Sequence, residues 1–497
     1  KVNLEKVPLK YLGLRPWEIW ISESQERMTL AVPKEKWKIF HKLMESRGVE
    51  AIIIGEFTNS GKAIVKWKGK VIMNIDMEFL HNGLPKQQLT TTPVIHKNSE
   101  PTPPQPSPKG RVKSEIHTKI LENLLADKNI SGFSFISEQY DHEVQASSVL
   151  KPLSGRGRIN TDAQVFRPVL NSNKGVVLSS SAYPSYGDIS AYHMAACAID
   201  TAIRNIICAG GTLSRLAILD NFCWCSSNDK TRLFQLVEAV KACYDYAVGY
   251  GTPFISGKDS MFNDFKGYDY KGNPCSISIP PTLLISAISV MPDFYKTVSP
   301  EFKNADDIIY LLGETKDELG GGEYFKMLAK NIHPTFSRLV PPPNLAHQEG
   351  NYTTYNNVPK VNLEKNIKTY LALEKAIQKE LVVSAISITS GGLGIALAKA
   401  CVGGMLGCNV SVKDLPGKKG GGVASALFSE SQGRILVSVN PKNVLVFEKI
   451  CTGVFCVNLG KIEKNGKIII SDGKNKIVET NVKKLYTIYH RFSNNMK

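Results

Sequence analysis

The sequence contains a partial copy of itself. Ser22-Glu23-Ser24-Gln25-Glu26-Arg27-Met28 returns as Ser429-Glu430-Ser431-Gln432-Gly433-Arg434-Ile435, an offset of 407. At that offset positions 22–32 match positions 429–439 at six of eleven places, and Phe40 and Lys42 fall opposite Phe447 and Lys449. Chance could supply one tetrapeptide. A register that persists through a second pair of positions points to duplication, so the chain should hold the end of one module and the whole of another.

At 497 residues the length suits about three domains. Fourteen residues rich in proline, Lys97 to Gly110, read as an extended spacer between the modules. Before it, Glu18–Val32 and Val49–Ile54 read as strands and Lys34–Arg47 as a helix. After it, Ile116–Leu125 reads as a short helix. Lys230–Tyr250 reads as a long one that places Leu233, Leu236, Val237, Val240 and Tyr244 on one face. Pro253–Ser256 and Pro281–Met291 read as strands, the latter buried.

The composition, 42% hydrophobic and 21% charged, is that of a globular protein, and no apolar run reaches the length of a membrane helix. The formal charge of +16 is spread along the chain without an arginine–aromatic cluster. It therefore reads as solvated surface, with no nucleic-acid partner. Ten cysteines without CxxC spacing suggest a reducing, cytoplasmic setting.

Several stretches then converge on one family. WEIWISESQERM (Trp17–Met28), QYDHEVQ (Gln139–Gln145), AIDTAIRN (Ala198–Asn205), SGKDSM (Ser256–Met261), LGGGEY (Leu319–Tyr324) and LFSESQGR (Leu427–Arg434) resemble the large subunits of phosphoribosylformylglycinamidine (FGAM) synthase. The resemblance implies an α/β (α+β) architecture of tandem AIR-synthase-like halves, each with an N-terminal and a C-terminal mixed domain. Residues 1–95 would end the first C-terminal domain and 96–114 would be the linker. Residues 115–298 would be the second N-terminal domain and 299–497 the second C-terminal domain. The first N-terminal domain, with the catalytic histidine, would be missing and the fragment alone inactive.

The implied reaction is an ATP-dependent ligation: FGAR plus ammonia gives FGAM, ADP and phosphate through an iminophosphate, with Mg²⁺. No GxCxG nucleophile elbow is present, so ammonia would come from a separate glutaminase subunit, alongside a small accessory subunit.

Gly257-Lys258-Asp259-Ser260 follows a short strand and is expected on an exposed loop. There Gly257 would admit a phosphate, Lys258 neutralise it, Asp259 hold Mg²⁺ and Ser260 bind substrate. An isolated GKDS reads as a plain polar loop; the family resemblance is what turns the reading toward a site. Many relatives carry GGNVS here, with Asn as metal ligand, so Lys258 is a departure. Asp220, read at a strand-to-loop junction, matches an ATP-contacting position or else caps the turn.

Glu23, Ser24 and Gln25 match the family's substrate-binding triplet. Glu430, Ser431 and Gln432 repeat it in the other half, where the expectation is a structural role or a vestigial pocket. Relatives hold an auxiliary nucleotide and magnesium in that half through Asp, Glu, Asn and Asp. The matching positions here are Ser181, Thr201, Asn205 and Ser387, so this site is expected to bind no Mg²⁺. Asp141, His142 and Glu143 point to alternate faces of an extended segment and read as structural. Gly420-Gly421-Gly422 reads as a flexible loop. Two rival readings are another ATP enzyme of the AIR-synthase superfamily and a non-catalytic basic scaffold.

Overall fold

A computed structural model describes residues 1–23, 27–93, 114–139, 146–331, 357–415 and 418–496. They form two compact units, Lys1–Leu89 and Thr90–Lys497. The expected spacer Lys97–Gly110, and Asp141, His142 and Glu143, lie outside the described residues.

In the first unit β1 (Val2–Asn3) runs parallel to β2 (Lys62–Trp67), which pairs antiparallel with β3 (Lys70–Asp76). Two expected strands are corrected. The first begins as a helix, α1 (Pro16–Trp20), because Pro16 supplies a preset φ at the first turn and the Glu18 carboxylate accepts the Arg15 N–H at 2.6 Å. The second, Val49–Ile54, makes no ladder: its end is tied by one Asn3 N–H to the Ile54 carbonyl, 2.8 Å. The expected helix is present as α2 (Trp37–Ser46), but none of its residues is buried. The core here is small: Leu4, Ile19 and Val65.

The second unit holds two large sheets, besides the two-stranded pairs Leu153–Ser154 with Ile159–Asn160 and Phe265–Tyr268 with Pro274–Ile277. The six strands of the first are β4 (Ser148–Leu150), β5 (Ala163–Phe166), β6 (Gly175–Ala182), β7 (Leu216–Cys223), β8 (Phe254–Ser260) and β9 (Thr282–Met291). Their order is β8-β7-β9-β6-β5-β4, with β8 at an edge and parallel to β7. Strict alternation of buried and half-buried residues along β9 marks one face of this sheet as core.

The helices that follow the spacer are α3 (Ser114–Leu125), α4 (Ala191–Cys208) and α5 (Lys230–Tyr250). The Asp229 carboxylate caps α5 by accepting the Thr231 and Arg232 N–H groups at 2.8 and 3.0 Å, and Gly251 at φ +68° ends it. The face of α5 is a second correction. Ala239, Ala242, Cys243 and Tyr246 are buried against α4, whereas Val237, Val240 and Tyr244 are half or more exposed. Small residues on both helices let the backbones approach closely, and that contact outweighs the larger apolar stripe.

The second sheet is built from β10 (Ile308–Leu312), β11 (Val382–Ser387), β12 (Gly407–Ser411), β13 (Ile435–Val439), β14 (Cys456–Glu463), β15 (Lys467–Asp472) and β16 (Asn475–Asn481). Its order is β11-β13-β10-β14-β12-β15-β16. The longer helices are α6 (Glu323–Asn331), α7 (Leu363–Gln378), α8 (Gly392–Gly404), α9 (Lys418–Phe428) and α10 (Val482–Met496). The expected glycine loop 420–422 falls within α9, which breaks at Gly422, φ +62°.

One face of this sheet packs Ile309 and Leu311 with α3, α8 and α10. The other packs Tyr310 and Leu312 into the same core as the first sheet. Between the sheets lies α4, with 16 of its 18 residues buried, Asp200, Thr201, Arg204 and Asn205 among them. Among the described residues no helix is long and apolar enough to cross a membrane.

Candidate functional site

The structure moves the Gly257–Ser260 motif from the expected loop into β8 itself. Asp220, expected at a strand end, sits within β7 and pairs with Gly257; Lys258 pairs with Asn221, Asp259 with Phe222 and Ser260 with Cys223. A loop assignment failed because glycine and charge signal a turn only where no neighbouring strand supplies hydrogen bonds. Here β7 does.

Strand geometry then sorts the motif into two faces. Asp220, Gly257 and Asp259 share the face on which Ile218 and Phe222 are buried. Lys258 and Ser260 share the opposite face, and the Lys258 ammonium donates to the Ser260 hydroxyl. Ser256 to Asp259 are exposed and Ser260 is half-buried. A side chain at Gly257 would place its Cβ 2.2 Å from Asp220 Oδ1, so the glycine leaves room for that carboxylate. Asp220 Oδ1 is buried with no hydrogen-bond partner. Burial and the neighbouring Asp259 charge hold the Asp220 carboxyl above the usual range, against the pull of the Lys258 N–H. Two carboxylates on one face, one with an orphaned oxygen, are a donor set that suits a divalent cation.

Glu23 is exposed, while Ser24 and Gln25 lie outside the described residues.

The second constellation lies around α4. A cleft of about 570 Å³ is lined by Ser181, Thr201 and Asn205 together with Asp162, Thr389 and Ser390. Ser387, the fourth auxiliary position, is 3% exposed and does not line it. Instead it accepts from the Arg204 guanidinium, Nε to Oγ 2.7 Å. Arg204 is fully buried and makes four further bonds: to Asp200 Oδ2 at 2.6 Å, Thr201 Oγ1 at 2.9 Å, Gln432 Oε1 at 3.2 Å and the Ile388 carbonyl at 3.2 Å. Burial opposes its charge, but Tyr370 and Asp200 outweigh that and hold its pKa above the ordinary value. The other Asp200 oxygen accepts from Tyr250, from Asn366 at 2.7 Å and from Tyr370 at 2.7 Å.

A magnesium ion does not fit Thr201 and Ser387. The Thr201 hydroxyl is occupied by Arg204, Gln432 and Tyr183, the last at 2.9 Å, and the Ser387 hydroxyl by Arg204. Only Asn205 Oδ1 is buried without a partner. A cation bonded to Thr201 and Ser387 would sit beside a guanidinium already bonded to both. Among the described residues no group of three or more His, Cys, Asp or Glu could hold a metal.

The repeated triplet is buried and used. Glu430 accepts the Gly391 N–H at 2.8 Å, the Glu323 N–H at 2.9 Å and the Tyr186 hydroxyl. Ser431 Oγ accepts the Lys316 N–H at 3.0 Å, and the Gln432 amide donates to the Glu430 carbonyl at 3.1 Å. Asp200 and Arg204 were missed in the sequence. Their spacing of four residues within an otherwise apolar helix was the available signal.

Two family models match the chain. That of the AIR synthase related protein, C-terminal domain, matches residues 1–68 and 304–473, and that of the N-terminal domain matches residues 160–278. The phosphoribosylformylglycinamidine synthase subunit PurL of Thermococcus sibiricus is 27% identical over 489 residues, covering 98% of this chain and 60% of that protein. The PurL subunit of Alkaliphilus metalliredigens is 31% identical over 456 residues, covering 89% and 54%. Among solved structures, Thermotoga maritima PurL complexed with FGAR gives a TM-score of 0.53 at 16% identity, over 75% of this chain and 53% of that one. A second, the structure of PurLQS from the same organism, gives 0.50 over 67% and 47%. The chain spans little more than half the length of the curated relatives it matches.

Proposed function

This chain belongs to the AIR synthase related family, and from that premise we propose that it serves an FGAM synthase, an ATP-dependent carbon–nitrogen ligase of purine biosynthesis. The observation that carries the reading is the order of modules: a C-terminal domain match, then an N-terminal, then another C-terminal, in a chain aligned along 98% of its length with a PurL subunit. In that reading residues 1–95 close one half, 96–114 link it, and 115–298 and 299–497 make the second half.

The chemistry asks for a seat for phosphate. The FGAR amide oxygen attacks the γ-phosphorus of ATP, and ADP leaves. Ammonia then adds to the carbon of the resulting iminophosphate, and phosphate departs with the former amide oxygen. Lys258 would neutralise phosphate oxygens and Ser260 hydrogen-bond the substrate from one face of β8. Asp220 and Asp259, on the other face, would supply carboxylate oxygens to a Mg²⁺ held apart from the phosphate seat at Lys258. The exposed edge of β8 suits completion by a second module, and Glu23, Ser24 and Gln25 would bind substrate in the first half. Ammonia would be supplied by a separate glutaminase subunit, with a small accessory subunit, in the cytoplasm.

The test is FGAR-dependent phosphate release by the complete ligase carrying this sequence, assayed with its glutaminase. Ser260→Ala should cut kcat/KM at least tenfold. Unchanged FGAR turnover, or release driven by FGAM in place of FGAR, would defeat the assignment.

A further inference from the structure

The buried polar cluster beside the α4 cleft has the ingredients of a charged-ligand site, yet each ingredient is met from within. Two helices, α6 and α8, start at Glu323 and Gly392, so their N-terminal N–H groups converge. Such a convergence favours an anion. The group seated there is the Glu430 carboxylate, 2% exposed. Its three partners are all donors, two backbone N–H groups and the Tyr186 hydroxyl, and they work against the burial that holds its carboxyl above the ordinary value. Gly322 keeps the approach open, since a Cβ there would lie 3.1 Å from the Glu430 carboxyl carbon.

On the cation side, a guanidinium has five N–H donors. Arg204 makes five bonds, which tie α4 to β11 through Ser387, to the segment after β11 through the Ile388 carbonyl, and to the 429–434 segment through Gln432. Nothing is left over for a ligand. The same Gln432 donates to the Glu430 carbonyl, so the two charged seats are joined by one amide. Arg434, also fully buried, braces the segment through the Ser431 carbonyl at 3.0 Å and Thr315 Oγ1 at 3.0 Å.

We infer that this cluster is self-liganded: Glu430 fills its anion seat and Arg204 its cation seat, so this half of the chain is held together by its own side chains, and the Thr201 and Ser387 positions take no divalent metal and hold no metal-bound nucleotide. The inference goes beyond the ligase reading and stands whether or not that reading holds, because its readouts are binding and stability. It also gives the repeated triplet a use. The second copy supplies the anion, a brace and the amide that links the two charges.

The experiment compares melting of the full chain in millimolar EDTA, in millimolar Mg²⁺ with ADP, and in phosphate against chloride of equal ionic strength. Acid release is used to look for nucleotide carried through purification. Asn205→Ala should respond to EDTA, and to Mg²⁺ with ADP, as the unaltered chain does, and should release no less nucleotide. Glu430→Ala should lower the melting temperature by several degrees and regain part of the loss in phosphate or formate, which can enter the vacated seat. Glu430→Gln, which keeps the volume, serves if the alanine variant does not fold; it should melt lower without recovery in those anions. Released nucleotide, or a stabilisation by Mg²⁺ and ADP, that Asn205→Ala abolishes would overturn the inference. So would a gain from phosphate as large in the unaltered chain as in Glu430→Ala.

Discussion

Gly257 stands directly opposite Asp220 in the parallel ladder of β7 and β8, and one carbon added to it would meet the Asp220 carboxylate at 2.2 Å. The glycine is thus a matter of space, since its φ is not among the positive ones. Gly257→Ala should force the carboxylate aside or push β8 off its edge, at a cost of about 1–3 kcal/mol. Urea unfolding measures it. A cost indistinguishable from zero would mean that Asp220 swings away freely.

The raised pKa of Asp220 has a pH signature. A carboxyl that binds its proton more tightly folded than unfolded makes folding less favourable as pH rises through the window between the two values. Asp220→Asn should remove that part of the slope, from the ordinary carboxylate value upward. Denaturation midpoints of both proteins across that range decide it. Parallel curves would show that Asp220 titrates normally.

Asp200 and Arg204 form an ion pair at 2.6 Å with both side chains fully buried. Taking one partner away leaves a charge with no water and too few donors or acceptors. Arg204→Met should therefore destabilise by about 3–5 kcal/mol. The double variant Asp200→Asn, Arg204→Met should cost less than the sum of the singles, because the second change removes the charge stranded by the first. Additive costs in a denaturation cycle would deny the coupling.

The orientation of α5 is checked by two substitutions on opposite sides. Val240→Lys, on the half-exposed stripe, should change stability by no more than about 0.5 kcal/mol. Ala242→Leu, at a fully buried contact with α4, should overpack and cost about 1–3 kcal/mol. Reversed magnitudes would mean that the helix presents its larger face to the core.

Local signals carried much of the fold. The length of α5 and the apolar run of β9 can be read directly, because hydrophobic spacing acts over a few positions. The offset of 407 likewise announced two related modules, one copy of which ends in the buried Glu430 triplet. What was not legible depends on neighbours distant in the chain. Period alone does not tell which of two apolar faces of α5 turns inward. Gly257-Lys258-Asp259 looks like a loop until β7 is placed beside it. Ser387 and Thr201 look like lost metal ligands, and nothing local says that Arg204 reaches across to both. In the first unit, Pro16 and Glu18 did spell a helix start, and the alternation that followed concealed it.

Because α4 is walled in by both sheets at once, the interval from residue 278 to 304 between the two matched family models is not a place where the polypeptide could be divided. Severing it would strip apolar surface from each fragment rather than release two finished bodies. The seam behaves as a party wall, and neither room stands without it.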